Sequence, residues 1–475
     1  MNRNTFIFII VLFLFIGCVP KIEKVEKIDE KQIFDELKII NTKSTKENIT
    51  QKWWELFEDE QLNFIVEKAL NDSPSLKSVK QRFAKANATI RAIESENLPN
   101  ISFESSLTRQ RFSENHIFPP PLGGGYFTQY HSATTLDYKF DFWDERKSKI
   151  LSAKNIAFAQ KAYIENTKLN LSLAISQLYL SWNFNEKKIN ILEKIVNILD
   201  EEFKILKEKF DNGLIDEVLL NEKKAQISQM KYNEYSIKEI TKAQISALCI
   251  LSGQLPSFAQ SLKKPDIHES INLVLSNDIY LNFLSNRADV AIQKYIVLSN
   301  DENINVAKTK FYPNINLSGL LGFTSFLSGE FLSKSSTVPS AGVALDLPIF
   351  DWGKRESNLD DKVITYNSSV YEYNDILNKA VNEVVGVLNK IEYKNLQIKM
   401  HKEQQISVEQ NEKIANKRFE IGLNDKILYY DTKINSLMIH IVEMELLQSH
   451  SELELELIRS IGGGFKEEEL KNAKG

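Results

Sequence analysis

Lys209-Phe210-Asp211-Asn212-Gly213-Leu214-Ile215-Asp216-Glu217-Val218-Leu219-Leu220 returns in the same chain as Arg418-Phe419-Glu420-Ile421-Gly422-Leu423-Asn424-Asp425-Lys426-Ile427-Leu428-Tyr429. A shorter echo, Pro99-Asn100-Ile101 and Pro313-Asn314-Ile315, precedes each copy in the same order. Self-similarity at a fixed spacing marks a duplicated structural unit. The chain therefore reads as two copies of one plan: a helix, two alternating strands, a very long helix, a Gly-Leu break and a return helix. Gly213 and Gly422 stand where apolar seams end, each followed by Leu214 or Leu423. A glycine there permits the left-handed cap of a sharp helix reversal. Asp216 and Asp425, two residues beyond those leucines, read first as caps of the return helices, where a carboxylate meets the positive end of the helix dipole.

The segments between these breaks set the length scale. Asp144 to Asp211 and Gly353 to Ile421 contain no proline, and helices of that length would run roughly 100 Å. Such helices need partners along their whole length. Ile189, Leu192, Val196, Leu199, Phe203, Leu206 and Phe210 alternate spacings of three and four, the pattern of a coiled-coil seam. Ile427, Tyr430, Ile434, Leu437, Ile441 and Met444 repeat it on the last helix. The equivalent seam of the second copy reads Ile398, His401, Gln405, Val408, Glu412, Ala415 and Phe419, so this stretch is expected to face water more than the first.

Four segments switch to a period of two, expected as strands near residues 100–110, 133–143, 314–324 and 340–350. Ile101, Phe103 and Leu107 alternate with polar residues, as do Leu136, Tyr138, Phe140 and Phe142. In the second copy Ile315, Leu317, Leu321 and Phe323, then Val343, Leu345, Leu347 and Ile349, keep the rhythm. Strands of about ten residues with one apolar face fit the length needed to cross a bilayer at a tilt. Phe118 to Gly125, with three prolines and three glycines, reads as a loop.

The N-terminus follows different rules. Arg3 precedes an apolar run from Phe6 to Ile16, closed by Gly17-Cys18. This is the pattern of a secretory signal and is too short to span a bilayer. Residues 1–17 are assigned as signal peptide and Cys18 as a lipid-bearing N-terminus after cleavage. An ordinary signal that happens to contain a cysteine is the other reading. Residues 18–52 form a charged tether, 53–262 the first repeat, 263–464 the second, and 465–475 a Lys/Glu-rich tail expected to be disordered. Cys249, left alone in an apolar helical segment, cannot form an internal disulfide.

Composition excludes several classes. A net charge of −5, with 59 basic and 64 acidic residues interspersed, lacks the concentrated basic face of a nucleic-acid protein. Six histidines show no His-Glu-x-x-His spacing, and neither a Gly-x-Ser-x-Gly elbow nor a Walker loop occurs. The chain is read as a non-enzyme with no cofactor and no metal site. Four strands cannot close a barrel around a lumen, and open edges in lipid leave backbone groups unmatched. Oligomerisation is therefore expected, and three copies would give about twelve strands, an even number within the known range.

With these features in hand, the chain resembles the TolC-like outer-membrane efflux proteins, specifically the lipidated branch serving resistance-nodulation-division pumps. The resemblance rests on Trp53-Trp54 with Phe57 and Leu62, Leu98-Pro99-Asn100-Ile101, Phe311-Tyr312-Pro313-Asn314-Ile315, Leu347 to Arg355, and the two Phe-x-x-Gly-Leu turns. It implies a mainly α fold with membrane β-structure: a homotrimer carrying a helical barrel and a shared transmembrane β-barrel. It further implies an outer-membrane, lipid-anchored exit duct with a large periplasmic part, passively conducting small molecules from an inner-membrane pump and a periplasmic adaptor. In the family the helix-turn-helix tips meet the adaptor and close the entrance. That role falls here on Gly213, Leu214, Asp216, Gly422, Leu423, Asn424, Asp425 and Asp431. Leu428 and Asn424 stand where some relatives carry an acid and an arginine, so those relatives' gate-locking bonds do not transfer. Asp431 carries two readings, a ring of like charge around a threefold mouth that favours cations and an ordinary exposed acid. Two other functions remain open on sequence alone, a conduit for type I protein secretion and a coiled-coil lipoprotein without a channel.

Overall fold

The computed structural model describes residues 22–27, 50–115, 123–267, 284–468 and 470; the expected signal peptide, Cys18 and most of the expected tether lie outside them. The chain divides into two compact units, one formed by Met1–Lys27, Phe83–Ala159 and Gln293–Tyr373, the other by Ile28–Arg82, Gln160–Ile292 and Asn374–Gly475.

Eleven regular elements organise the described residues: α1 (Glu60–Asp72), α2 (Pro74–Ser95), β1 (Asn100–Arg111), β2 (Tyr126–Lys139), α3 (Glu145–Asp211), α4 (Glu217–Leu251), α5 (Ala288–Thr309), β3 (Asn314–Ser325), β4 (Thr337–Asp346), α6 (Lys354–Glu420) and α7 (Lys426–Ser460). The fold is mainly helical. Both long helices contain 67 residues and both return helices contain 35.

In the first unit the four strands form one antiparallel sheet in the order β1-β2-β3-β4. Register aligns Ile101 with Leu136 and Leu136 with Gly319, while Tyr138 pairs with Leu317 and Leu317 with Val343. Because side chains alternate across a strand, most of the large apolar residues of the four strands gather on one face, with Phe127, Leu320 and Val338 on the other. That face is uncovered: Ile101, Phe103, Leu107, Leu321, Val343 and Leu345 are each at least 60% exposed. On the opposite face the Ser102 and Thr135 hydroxyls lie 2.6 Å apart.

Two strand boundaries differ from expectation. β2 covers 126–139 and β4 covers 337–346, not 133–143 and 340–350. Phe140 and Phe142 follow β2, because Asp141 turns the chain by accepting from the Arg146 and Lys147 amides at the start of α3. Trp143 leaves the sheet plane, stacks on Tyr312 at 4.7 Å and donates its indole N–H to the Pro313 carbonyl.

At the foot of the sheet Glu145 is buried among lysines. Lys139 and Lys310 each approach at 2.6 Å and Lys149 at 3.1 Å. Burial raises its pKa, but the three ammonium groups outweigh burial and hold it down to about 2, against an ordinary value of 4.5.

In the second unit Trp53, Trp54 and Phe57 join Leu62, Ile65, Val66 and Ala69 of α1 against Leu171, Ile175, Tyr179, Leu180 and Trp182 of α3, with Leu248, Leu455 and Ile458 closing the core. Asp59 caps α1 by accepting from the Leu62 amide at 2.7 Å and receives the Tyr179 hydroxyl at 3.1 Å. The first seam is packed: Ile189, Leu192, Val196, Leu199 and Leu206 are buried, and Leu199, with Ile195 and Ile227 beside it, meets Ile434, Leu437 and Ile441. The second seam is more polar but not simply wet. His401 and Ala415 are buried; His401 meets the Ile439 carbonyl at 3.1 Å, and Gln405 contacts Glu409 and His440. The expected disordered tail is corrected at its start: Phe465 and Leu470 are buried, and Lys161 donates to the Leu470 carbonyl at 2.7 Å.

The Glu145 cluster makes stability pH-dependent. A carboxylate whose pKa is depressed on folding stabilises above its unfolded value, and that contribution disappears as pH falls toward the folded value. Thermal melts should show wild type losing stability between pH 4.5 and about 2. Glu145→Gln should be about 3 kcal/mol less stable at neutral pH and show a flatter profile across that window.

Candidate functional site at the two helix reversals

Both Gly-Leu breaks form the same backbone device. The Gly213 amide donates to the Phe210 carbonyl at 2.8 Å and the Leu214 amide to Lys209 at 2.9 Å; Gly422 and Leu423 donate to Phe419 and Arg418 at 3.0 and 2.8 Å. This pair of bonds is a Schellman motif, and it requires the left-handed conformation at the glycine. Gly213 and Gly422 have φ of +70° and +74°. No other atom lies within 4 Å of where a β-carbon would stand at either position, so backbone geometry, not space, selects glycine.

Asp216 then accepts from the Val218 and Leu219 amides at 3.0 and 3.3 Å, opening α4. Asp425 accepts from the Ile427 amide at 3.4 Å, opening α7. Both are helix caps. Asp425 does more: Lys209, at the end of α3, donates to its other carboxylate oxygen at 2.6 Å. That bond, ahead of every other influence, lowers the Asp425 pKa. The two reversals are thus tied to each other across the duplicated motif.

Asp431 lies one turn beyond, with its side chain 56% exposed, 3.9 Å from the Lys223 ammonium. Lys223 chiefly serves Glu202 of α3, at 2.8 Å. Glu202 is buried, and its second oxygen finds no partner among the described residues. Burial raises the Glu202 pKa against the pull of Lys223, and the charge of Asp431 adds to the rise. Beside this cluster the Tyr430 hydroxyl donates to Glu201, Phe419 stacks on Tyr429 at 6.1 Å with rings nearly parallel, and Lys426 lies 5.0 Å from the Tyr430 ring centre. Apolar residues project outward around the turns: Leu214, Val218, Ile421 and Leu423 are all more than 60% exposed. Asn424 is half-buried between them.

The structure therefore brings Gly213, Leu214, Asp216, Gly422, Leu423, Asn424 and Asp425 into two matched turns and sets Asp431 in an ionic cluster above them. Sequence reasoning missed Lys209, Glu201, Glu202, Lys223 and Tyr430. Lys209 had a visible signal, since it opens the repeated motif opposite Arg418. Glu202 and Lys223 had none, because neither breaks the helical pattern around it.

The sequence profile of the outer membrane efflux proteins matches residues 65–248 and again 279–463. The chain belongs to that family. It is 24% identical over 492 residues to the multidrug resistance outer membrane protein MdtQ of Escherichia coli O157:H7, an alignment covering 98% of this chain and 100% of the relative. The CmeC outer membrane channel of Campylobacter jejuni shares its fold with a TM-score of 0.81 at 24% identity, covering 96% of this chain and 98% of CmeC. The outer membrane protein VceC of Vibrio cholerae does so with a TM-score of 0.79 at 24% identity, covering 88% and 100%. In this chain the paired turns join each long helix to its return helix.

Removing one partner of a buried ion pair costs about 3–5 kcal/mol, because the other charge stays buried. Lys223→Met should lower stability in urea unfolding by about 3 kcal/mol, and adding Glu202→Gln should restore most of the loss. Equal stability of the single and double variants would show that Lys223 does not hold Glu202 as an anion.

Proposed function

We propose that this efflux protein is the outer-membrane exit duct of a tripartite system. It would work as a homotrimer that passively carries small molecules from an inner-membrane pump and periplasmic adaptor to the exterior. The carrying observation is the sheet: most of the large apolar side chains of its four strands lie exposed on one face, and among the described residues its outer strands β1 and β4 each pair on one side only. Lipid would cover that face, but lipid cannot satisfy the unpaired edges, where each unmatched group costs several kcal/mol. Edge pairing between copies removes the cost, and three copies give about twelve strands.

The duplicated plan supports the same reading. The two long helices match in length, as do the two return helices, and the family profile matches twice. Exposed apolar stripes on the helices, Tyr393, Leu396, Met400, Ile406 and Ile414 on α6 with Tyr232, Tyr235 and Ile240 on α4, supply surface for neighbouring subunits. The apolar knobs Leu214, Val218, Ile421 and Leu423 are placed as the adaptor contact, and the turns at Gly213 and Gly422 as the entrance. MdtQ is a multidrug resistance outer membrane protein, which favours small molecules as cargo. Cys18, outside the described residues, is read as the lipid anchor.

Planar bilayers provide the test. Purified protein should give discrete conductance steps, and a sealed membrane would overturn the duct. Asp431→Asn should reduce cation preference at least twofold if Asp431 rings the entrance; unchanged selectivity would remove Asp431 from the conduction path and leave the duct intact.

A further inference from the structure

We propose that Asp301, Tyr366 and Asn367 form a docking site for Glu23-Lys24-Val25, fixing the point at which a lipid carried on Cys18 leaves the body of the protein. The second half of this statement rests on the lipid-anchor reading above. The first stands on contacts alone. Lys24 donates to the Asp301 carboxylate, and its ammonium lies 5.2 Å from the centre of the Tyr366 ring. Asn367 engages the backbone on both sides of the lysine: its carbonyl oxygen accepts the Val25 amide at 3.0 Å, and its amide nitrogen donates to the Glu23 carbonyl at 3.3 Å.

The division of labour is specific. An anion and an aromatic face together select a cation at position 24, while one side-chain amide reads only backbone at 23 and 25. Surface ion pairs alone contribute little, but here a carboxylate, a ring and a two-way amide converge on three consecutive residues. Nothing in the local sequence would hold this segment otherwise, because it forms no helix or strand of its own.

Distance gives the site its meaning. Asp301 stands eight residues before the end of α5, which leads into β3, and Tyr366 twelve residues after the start of α6, which follows β4. At about 1.5 Å per residue the dock lies roughly 12–18 Å from the ends of those helices that meet the sheet. Lys24 stands six positions after Cys18, and six extended residue steps span about 20 Å at most. A lipid on Cys18 can therefore reach the foot of the sheet with the segment docked, with little slack to spare.

A nitroxide on Glu26→Cys reads docking as restricted motion in electron paramagnetic resonance of the full protein in membranes. Asp301→Lys should free the label, and Lys24→Asp with Asp301→Lys should restrict it again; equal mobility in all three would overturn the dock. Deleting residues 20–22 shortens the reach to about 10 Å. In protein carrying Cys18, that deletion should pull the segment off and free the label. With Cys18→Ser and an ordinary signal peptide, the label should stay restricted. Equal mobility of these two deletion variants would overturn the reach argument. Mass spectrometry of the N-terminal peptide reads acylation separately: an unmodified Cys18 would remove the anchoring role while the charge-swap result still decides the dock.

Discussion

Hydrogen bonding at the two outer edges of a four-stranded sheet is the constraint on which the rest depends. The sheet is internally complete, with β1 to β4 paired in continuous antiparallel register. Its apolar face, however, has no partner among the described residues. Water is a poor solvent for that face, and hydrocarbon is a poor solvent for backbone edges. Closure with further strands, as in the proposed assembly, would satisfy both demands. Neighbouring copies in that assembly would also cover the apolar side chains left exposed along α4 and α6.

Two ionic clusters show how charge is used where the fold changes direction. At the foot of the sheet Glu145 draws lysines from the end of β2, the first turns of α3 and the residue after α5, so one buried carboxylate gathers three elements. At the helix reversals Lys209 reaches Asp425 and Lys223 reaches Glu202. A buried ion pair contributes little net stability compared with well-packed apolar residues. Its value is geometric: misplacing either element strands a charge.

Much of this was legible in the sequence because it depended on local rules. The Gly-Leu reversals, the capping roles of Asp216 and Asp425 and the packed seam from Ile189 to Leu206 follow from spacing and from the conformational needs of single residues. Strand ends were less legible. Tyr126 to His131 enters β2 although its residues do not alternate cleanly, and Phe140 and Phe142 keep the alternation after the strand has ended, because Asp141 begins the next helix. The ionic pairings were not legible. Lys209 opens the repeated motif and Asp425 reads as a cap, but they lie 216 positions apart, and Glu145 and Lys310 lie 165 apart, so no local pattern joins them. Phe465 and Leu470 were hidden by the Lys/Glu-rich composition around them.

The turns at Gly213 and Gly422 carry one more implication. Their glycines are demanded by handedness of the backbone, while the space around each α-carbon is open. A residue of mirror-image chirality would therefore sit there without strain. D-alanine, introduced by chemical ligation, would favour the turn geometry in the unfolded chain as well and so stiffen the C-terminal end of each long helix, whereas L-alanine would oppose it. At these two points stereochemistry, and not side-chain identity, is the information the gene has to supply.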